Sequence, residues 1–520
     1  MSHPSSPLAG RRETLLILAL AALAALRVLA FSAAFPFFAN VDEHKHVDMV
    51  WKYARGYVPR PGADAFEPEM GTLLGMYGSP EYLHDPGSPE SPLAPAWRGP
   101  PGAMMNRLER NREFLADRAN KEAHQPPVYY LLAAAWLRLG RILGLRGGEL
   151  LYWVRALNAF LAAGTLLAAY GLLRGSYGTD ALVRLGAPLL LAVFPQDALY
   201  YVTPDALSPL LGGLVFCLAA RLAREPARSR FAHAAAGLAA AAAVLTKYTN
   251  LALWLPLAAG TAFALATRPQ ARSLRAEGAR WLALWLLAAL PVAAWLLRNQ
   301  WLFGDFTASA LKVERLGWGH RAFREAWDHP LLTPAGAWAF LVDLLPTFWR
   351  GELAWHRATL SSRGADLFYT ASSILALLLA GLGLFGRGAA RGARLDEGLA
   401  FLALLASAAI LAALSALFAF TEVTHPSAAR PWFGQGRLVA GALVPFLLLY
   451  LRGIRVAAVR LGGRRAAALG WACAAAVVAV VGASELRLTR DVFASPYNWF
   501  HLPGALEGAP PAAPGPGPTG

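Results

Sequence analysis

The chain has 520 residues, of which 56 % are apolar and only 16 % are charged, and its net charge is +15. Apolar runs of about 18 or more residues, long enough to cross a bilayer, recur along its length. This composition excludes an ordinary soluble protein. Because the arginines lie in short loops between apolar runs, we attribute the positive charge to membrane topology. We therefore expect no nucleic acid partner.

The sequence therefore predicts an all-α polytopic membrane protein. The first apolar run, about 14–36, contains Arg27 and has no small-residue cleavage site before Asn40, so we interpret it as an uncleaved anchor. Ten further runs complete eleven candidate transmembrane helices. They cover about 152–173, 182–202, 205–222, 231–248, 249–267, 280–302, 367–386, 398–420, 433–451 and 466–484.

The segment HQPPVYYLLAAAWLRLGRILG, residues 124–144, holds a shorter apolar stretch with Arg138 and Arg141 on one helical face. If it does not cross the bilayer, the arginine-rich short loops lie in the cytoplasm, as the positive-inside rule requires. We therefore expect an amphipathic helix on the outer membrane surface and a cytoplasmic N-terminus.

This topology leaves three outward-facing regions. They are a long first loop at about 37–150 with juxtamembrane amphipathic helices, a Trp-rich loop at 303–366, and a tail at 485–520. The tail ends in GAPPAAPGPGPTG, a composition that cannot form a core and predicts disorder.

The first loop opens with NVDEHKHVDMVWKYARG, residues 40–56, directly after the first apolar run. In a helix over 41–55, Asp42 and His46 lie one turn apart, and Glu43 is also a neighbour of His46. Such a face suits a divalent cation, or a carboxylate base whose pKa is raised by burial. The structural alternative is an N-terminal helix cap, in which Asn40 or Asp42 accepts backbone N–H groups and the acids lie at the positive end of the helix.

Further ionisable groups converge on the same predicted face. They are Asp197 and Asp205 in FPQDALYYVTPDAL, Lys247 in LTKYT, Arg298 and Asp305 in LLRNQWLFGDF, and His425, Arg430 and Arg437 in HPSAARPWFGQGRL. Only five of the 48 Lys and Arg residues are lysines, so Lys247 stands out. Ionisable groups near a bilayer are functional candidates.

Each of these groups also has a structural alternative. Asp205 and Lys247 suit an ion pair between two spans. Arg298 and Arg437 suit contacts with phospholipid headgroups. Asp197 and Asp305 suit loops or helix caps.

The chain has no Walker loop, dinucleotide fingerprint, HExxH motif or GxSxG elbow, which disfavours an ATP-driven pump. Instead, four pieces resemble the membrane-embedded GT-C glycosyltransferases, which include protein O-mannosyltransferases and lipid A aminoarabinose transferases. The four pieces are Asp-Glu after the first span, the HQPPVYYLL helix, the TPDAL turn and the LTKYT segment. RNQWLFGDF, LPTFWRGELAW and WFGQGRLVAGALVPF look closer to a bacterial membrane branch with a Gln-Gly-Arg signature. The resemblance is discontinuous from about residue 14 to 450.

This resemblance implies a catalytic transmembrane module at 1–302, the loop at 303–366, further helices at 367–484 and the tail at 485–520. It implies transfer of a hexosyl or pentosyl group, with inversion, from a polyprenyl-phosphate donor. The acceptor is an unknown glycan, lipid or protein at the outer face of a bacterial cytoplasmic membrane. Under the resemblance, Asp42 matches the catalytic aspartate, Glu43 its acidic neighbour, Asp205 the second-loop acid and Lys247 the neighbouring lysine.

A departing lipid phosphate needs positive charge, so Arg298, Arg437 and Arg430 are the candidate clamps. His46 and His124 are further candidate substrate contacts. Members of the superfamily differ in metal dependence, and Asp42 with His46 permits a divalent cation without requiring one.

Two other classes of protein would use the same donor. A flippase or other transporter of lipid-linked sugars is the main alternative, although the ionisable groups crowd one side and no internal repeat is visible. A polysaccharide polymerase or ligase shares the donor chemistry but has another fold.

Overall fold

A computed structural model of the protein describes residues 7–39, 42–84, 94–178, 180–225, 229–267, 274–386, 391–422 and 426–502. Its first half contains α1 (Pro7–Ala34), α2 (Glu43–Ala54), α3 (Pro68–Tyr77), α4 (Pro101–Ala116), α5 (Val128–Ile142), α6 (Gly147–Ser176), α7 (Ala181–Ala192), α8 (Ser208–Arg224) and α9 (Arg230–Val244). Its second half contains α10 (Trp254–Ala266), α11 (Leu274–Phe303), α12 (Ala310–Arg315), α13 (Pro334–Arg350), α14 (Arg363–Leu384), α15 (Arg391–Leu417), α16 (Leu443–Gly462) and α17 (Ala466–Phe493).

Two short antiparallel pairs of strands join the loops. β1 (Gly319–His320) pairs with β4 (Phe418–Ala419), and β2 (Ala354–Trp355) pairs with β3 (Ala358–Thr359). The described chain is otherwise built from helices and their connections.

Eight segments of the described chain are long and apolar enough to cross a membrane, judged by length and composition. They are Gly10–Ala34, Gly147–Ser176, Pro204–Arg224, Tyr248–Ala266, Glu277–Phe303, Arg363–Leu384, Gly392–Leu417 and Gly436–Phe493. The last of them contains both α16 and α17. The protein is therefore an all-α, multi-pass membrane protein.

The predicted count of eleven spans is not confirmed. Two of the eleven runs fold into shorter apolar helices, α7 with 12 residues and α9 with 15. After α7 the chain passes Pro195 and turns through the 3₁₀ helix Asp197–Tyr200, because proline cannot continue a regular helix. After α9 it becomes extended at Lys247. The interruption after α7 carries Asp197, and the interruption after α9 carries Lys247.

Large apolar side chains are exposed along the membrane helices, whereas α16 is buried from Leu443 to Leu451. Exposed rows of this kind on α1 include Leu15, Leu18 and Leu26, and they suit hydrocarbon better than water. Helix α16 packs against α7, α8, α14, α15 and α17, so it forms the centre of the bundle.

The first predicted outer loop folds into helices α2 to α5 in the part that the structure describes. On α5, one apolar face is exposed through Leu131, Leu139 and Ile142. Arg138 instead faces the protein and donates to the carbonyl oxygen of Ala54 at 2.8 Å. This division of faces is the one that a helix lying at a membrane surface requires.

The loop at 303–366 is more regular than the sequence predicts. It contains α13, a helix of 17 residues. Asp343 and Pro346 interrupt its apolar pattern, which is why the run does not read as a membrane span. Helix α13 contributes directly to the site described below.

The predicted tail at 485–520 overlaps the last part of α17, which ends at Phe493. Within this overlapping stretch of the helix, Glu485 is buried in an ion pair with Arg27 of α1, at 2.5 Å. Beyond it, the indole of Trp499 stacks on Tyr152 with ring centroids 4.6 Å apart. The Pro/Gly/Ala-rich end, for which we predict disorder, lies outside the described residues.

Candidate active site

A cavity of about 2210 Å³ lies where the predicted outer loops meet at one end of the bundle. Its walls come from the start of α2, the segment before α5, the turns before α8 and α10, the end of α11, α12 to the start of α14, and residues 414–438. Four of the five lysines of the chain line it, namely Lys45, Lys121, Lys247 and Lys312. The fifth, Lys52, is buried in an ion pair with Asp48 at 2.9 Å.

Glu43 does not line the cavity. Its carboxylate accepts two hydrogen bonds from the Arg155 guanidinium, at 2.7 and 2.6 Å, and both side chains are essentially inaccessible. Arg155 also donates to three carbonyl oxygens near the end of α1, those of Ser32, Phe35 and Pro36. The prediction that Glu43 is catalytic therefore does not fit the geometry, because its oxygens are used to join α1, α2 and α6.

Asp42 faces the cavity although it adjoins Glu43. It precedes α2 in a left-handed conformation, with φ 70° and ψ 0°, which costs about 1 kcal/mol for a residue other than glycine. Its side chain makes no capping hydrogen bond and instead pairs with Lys45, remaining 24 % exposed. The alternative of a side-chain helix cap by Asp42 is therefore wrong, and Asn40, the other residue suggested for that cap, lies outside the described residues. Glu43 anchors the junction and Asp42 is turned towards the cavity.

Two lysines reverse the expected pKa shift of Asp42. Burial raises the pKa of its carboxyl, but Lys45 and Lys312 together lower it further, so the pKa lies well below the usual range. The predicted raised pKa is wrong because the sequence pattern does not place Lys312 beside the first loop. Asp42 is consequently ionised at neutral pH.

His46 lines the cavity one turn after Asp42. Its Nδ1 lies 2.8 Å from the hydroxyl of Tyr130. Burial lowers the pKa of His46 to about 4, so the imidazole is neutral at physiological pH. Within the described ranges, no group of three or more His, Cys, Asp or Glu side chains is placed to hold a metal ion. Asp42 and His46 thus have no third ligand of these types there.

Glu122 and Lys312 form an ion pair on the cavity wall at 2.5 Å. Burial raises the pKa of Glu122, but Lys312 reverses the shift and the pKa is lowered. Burial lowers the pKa of Lys312, but Glu122 and then Asp42 raise it above its usual value. Both groups therefore stay charged at neutral pH.

Asp305 positions Lys312 by organising the turn before α12. Its carboxylate accepts hydrogen bonds from the backbone N–H groups of Thr307 (3.0 Å), Ser309 (2.7 Å) and Ala310 (2.9 Å). Helix α12 is also tied to the first loop by an ion pair between Arg315 and Asp64 at 2.7 Å. The structural alternative for Asp305, a loop or cap residue, agrees with this geometry.

Asp205 lies between two cations and is 1 % exposed. Its Oδ1 pairs with the Lys247 ammonium, and its Oδ2 accepts a hydrogen bond from Arg437 Nη1 at 3.0 Å. Arg437 Nε donates in turn to Glu352 at 3.0 Å. We call these four residues the charge ladder. All four line the cavity, so the predicted site residues Asp205, Lys247 and Arg437 are brought together.

The Gln-Gly-Arg signature is fixed against α13, and this fixes Arg437. A Cβ at Gly436 would lie 2.0 Å from the backbone nitrogen of Phe348, so only glycine allows this approach. The Gly436 N–H also donates to the Thr347 hydroxyl at 3.0 Å. The backbone that carries Arg437 therefore cannot move away from the cavity without breaking these contacts.

Asp197 supports the ladder without lining the cavity. Its buried carboxylate accepts a hydrogen bond from the Glu352 N–H at 2.8 Å. Burial is the main cause that raises the pKa of Asp197 to about 7. Gly351 has φ 82°, and a Cβ there would lie 1.9 Å from Asp197 Oδ1. Asp197 and Gly351 together shape the turn that presents Glu352 to Arg437.

Arg298 and His124 do not line the cavity, contrary to the predictions for a phosphate clamp and a substrate contact. Arg298 donates to the carbonyl oxygen of Pro59 and lies over the Trp295 ring at 5.0 Å. His124 packs against Phe303 with ring centroids 4.4 Å apart. Both side chains are used where α11 meets the first loop, which keeps them from the charge ladder.

Arg430 reaches the cavity only at its rim. Its side chain is 64 % exposed and pairs with Asp343 at 3.3 Å. Two tryptophans of the 303–366 loop, Trp318 and Trp338, also line the cavity. His425, another predicted candidate, lies outside the described residues.

An apolar arm of the cavity runs along α14. Leu367, Ala371, Ile374 and Leu378 line it at helical spacing, and Leu414 and Leu417 of α15 complete the lining. The stretch from Arg363 to Leu378 is about 22 Å along the helix axis. Leu367 and Leu378 are 67 % and 63 % exposed, so the arm is open towards the side of the bundle. The cavity is thus charged at one end and apolar at the other.

Sequence reasoning missed several cavity residues, including Lys45, Glu122, Lys312 and Glu352. The rarity of lysine was a usable signal, because it marks four cavity residues. Only Lys247 was singled out by it. Glu352 lies within the quoted piece LPTFWRGELAW, whereas Glu122 lies two residues before the quoted segment 124–144, and neither matches a recognised motif.

The comparisons with known proteins add no family. No protein-family model matches the chain. A search of curated proteins likewise finds no significant match.

Proposed function

We propose that the protein is a GT-C-type glycosyltransferase that transfers a hexosyl or pentosyl group from a polyprenyl-phosphate donor. The observation that carries this proposal is one cavity joining Asp42, the charge ladder and an apolar arm. A lipid-phosphate sugar has matching parts, namely a polar sugar, an anionic phosphate and a hydrocarbon chain. The acceptor is a glycan, lipid or protein that enters from the open rim.

In this proposal Asp42 accepts the proton of the acceptor hydroxyl. The acceptor oxygen attacks the anomeric carbon while the bond from that carbon to the phosphate oxygen breaks. The proton moves to Asp42, and the bonding electron pair leaves with the lipid phosphate. Because its pKa is low, Asp42 is a weak base that takes the proton late, as the attacking oxygen becomes positive. A single displacement inverts the anomeric centre.

The charge ladder supplies positive charge for the departing phosphate. Arg437 uses Nε for Glu352 and Nη1 for Asp205, which leaves Nη2 available to a phosphate oxygen. Lys247 lies on the other side of Asp205. Preorganised cations of this kind stabilise charge that develops in the transition state.

The finer topology belongs to the same proposal. We place the cavity at the outer face of a bacterial cytoplasmic membrane, with the N-terminus inside and about eleven spans. The arginine distribution of the short loops supports this orientation. The exposed apolar face of α5 supports its position at the membrane surface.

The function is tested by mass spectrometry of lipid-linked sugars and envelope glycans from cells with and without the gene. Deletion should remove one glycan modification and leave its polyprenyl-phosphate donor in excess. With purified protein, Asp42→Asn should lower the transfer rate by about 10²- to 10⁴-fold. Asp180→Asn, which makes the same chemical change at the opposite end of the bundle, should keep the wild-type rate.

Two outcomes would contradict the proposal. Full transfer by Asp42→Asn would exclude this residue as the base. Donor that is moved across vesicles by the purified wild-type protein, with no release of polyprenyl phosphate, would identify the alternative, a flippase.

A further inference from the structure

Gln435 is a buried polar side chain on the cavity wall that the charge ladder does not use. It is 6 % exposed, and it lines the cavity next to Gly436 and Arg437. Its amide oxygen has no hydrogen-bond partner among the described residues. A buried polar group left in this state costs about 1–3 kcal/mol, so its position calls for an explanation.

The backbone around Gln435 is held too firmly for this placement to be a loose loop. On one side, the carbonyl oxygen of Gly434 accepts a hydrogen bond from the Thr347 hydroxyl at 2.8 Å. On the other, Gly436 lies in contact with the Phe348 backbone and its N–H donates to Thr347. The amide is therefore presented to the cavity by a fixed three-residue stretch.

The chemistry of this side chain differs from that of its neighbours. Asp205, Lys247 and Arg437 carry full charges that are largely balanced by one another. Gln435 adds a neutral group with one acceptor oxygen and two N–H donors. An amide of this kind pairs well with hydroxyl groups, which both donate and accept, and less well with phosphate, which only accepts.

We propose that Gln435 binds a ring hydroxyl of the sugar on the donor and so contributes to the choice of sugar. This inference rests on the proposed function, because it takes the neighbouring Arg437 as the phosphate contact. The Cα atoms of residues two apart are at most about 7.6 Å from one another, a separation comparable with the size of a monosaccharide ring. A phosphate at Arg437 therefore leaves the attached sugar within reach of Gln435.

The test measures dissociation constants of the detergent-solubilised full chain. The probes are undecaprenyl phosphate and its glucosyl, mannosyl, galactosyl and 4-amino-arabinosyl esters. For the wild type, the tightest ester should bind better than the bare lipid phosphate. Gln435→Met should reduce that preference about five- to tenfold, the effect of losing a hydrogen bond, and leave binding of bare undecaprenyl phosphate unchanged. Arg437→Met is the matched control and should weaken all probes alike.

Thermal stability separates substrate recognition from a structural role. Since the amide oxygen has no partner in the described chain, Gln435→Met should keep or raise the wild-type Tm. An unchanged sugar preference in Gln435→Met, or a lowered Tm together with weaker binding of the bare lipid, would overturn this inference alone. A wild-type chain that binds none of the five lipids would overturn the proposed function and this inference together.

Discussion

At the end of the bundle opposite the cavity, Asp180 lies between Arg452 and Arg455, at 3.9 and 3.2 Å. Asp205 lies between Lys247 and Arg437 in much the same way at the cavity end. The opposite end adds a pair between Glu397 and Arg452 at 2.5 Å. None of these four residues at the opposite end lines the cavity, whereas the whole charge ladder does.

The two ends show that a buried ion pair is not by itself a sign of chemistry. Such pairs fasten helices, and removing one partner is destabilising because it leaves an uncompensated charge. The cavity end differs because its pairs border space that a ligand can occupy, and because Gln435 presents an unpaired amide oxygen to that space. We call the end opposite the cavity the closed end. Substitutions there should mainly change the stability of the protein, whereas substitutions at the cavity end should mainly change the rate of transfer.

Glu43 gives the sharpest challenge to this division, since it lies at the cavity end but is shielded from the cavity. We expect Glu43→Ala to lower the free energy of unfolding by about 3–5 kcal/mol, because Arg155 would remain buried without its partner. Glu397→Ala at the closed end is the matched variant. Reversible unfolding in detergent should give a loss for both, and a smaller one for Glu397→Ala because Arg452 keeps Asp180 at 3.9 Å. A stable Glu43→Ala protein without transfer activity would instead place Glu43 in the chemistry.

Arg437→Met should separate the ends in the opposite sense. Loss of this cation should lower the rate constant for transfer by about 10²- to 10³-fold, as when one preorganised donor to a developing negative charge is removed. Arg452→Met removes the corresponding cation at the closed end, and it should lower Tm with little change in rate per folded molecule. Single-turnover kinetics of both variants would show this, and equal rate losses would remove the distinction.

The pH dependence of transfer should report on Lys312. Asp42 must be ionised to accept a proton, so activity is present above the pKa of Asp42 and falls as pH drops through it. Lys312→Met removes one of the charges that lower this pKa, and the acid limb of kcat/KM should move up by roughly one pH unit. Arg315→Met on the same helix is the control. An unshifted acid limb in Lys312→Met would mean that Asp42 is not the titrating group.

The smallest effect is expected for the pair between Asp64 and Arg315, which belongs to neither group. Asp64→Asn should change the free energy of unfolding by less than about 1 kcal/mol and leave the transfer rate within twofold, because the pair is partly solvated. Chemical unfolding and initial-rate measurements give both values. A large loss of transfer would show that the position of α12 controls the site.

The sequence was sufficient for features that depend on local pattern. Apolar runs predicted a multi-pass helical protein, and the convergence of Asp205, Lys247 and Arg437 was expected from loops assigned to one side. It was not sufficient where a long-range partner decides the outcome. Arg155 is more than 100 residues from Glu43, yet it determines that Glu43 is buried while Asp42 is not. Likewise, the carbonyl oxygen of Pro59 accepts a hydrogen bond from Arg298, and the ring of Phe303 packs against His124.

The clustering of lysine in this arginine-rich chain makes the cavity chemically addressable. Amine-directed acylating reagents distinguish lysine from arginine, and Lys52 is 3 % exposed within its ion pair. Apart from the α-amino group, the amines open to such a reagent therefore border the cavity. Peptide mapping after brief acylation becomes a footprint of cavity occupancy, because a bound lipid would shield those amines while the guanidinium groups elsewhere stay silent.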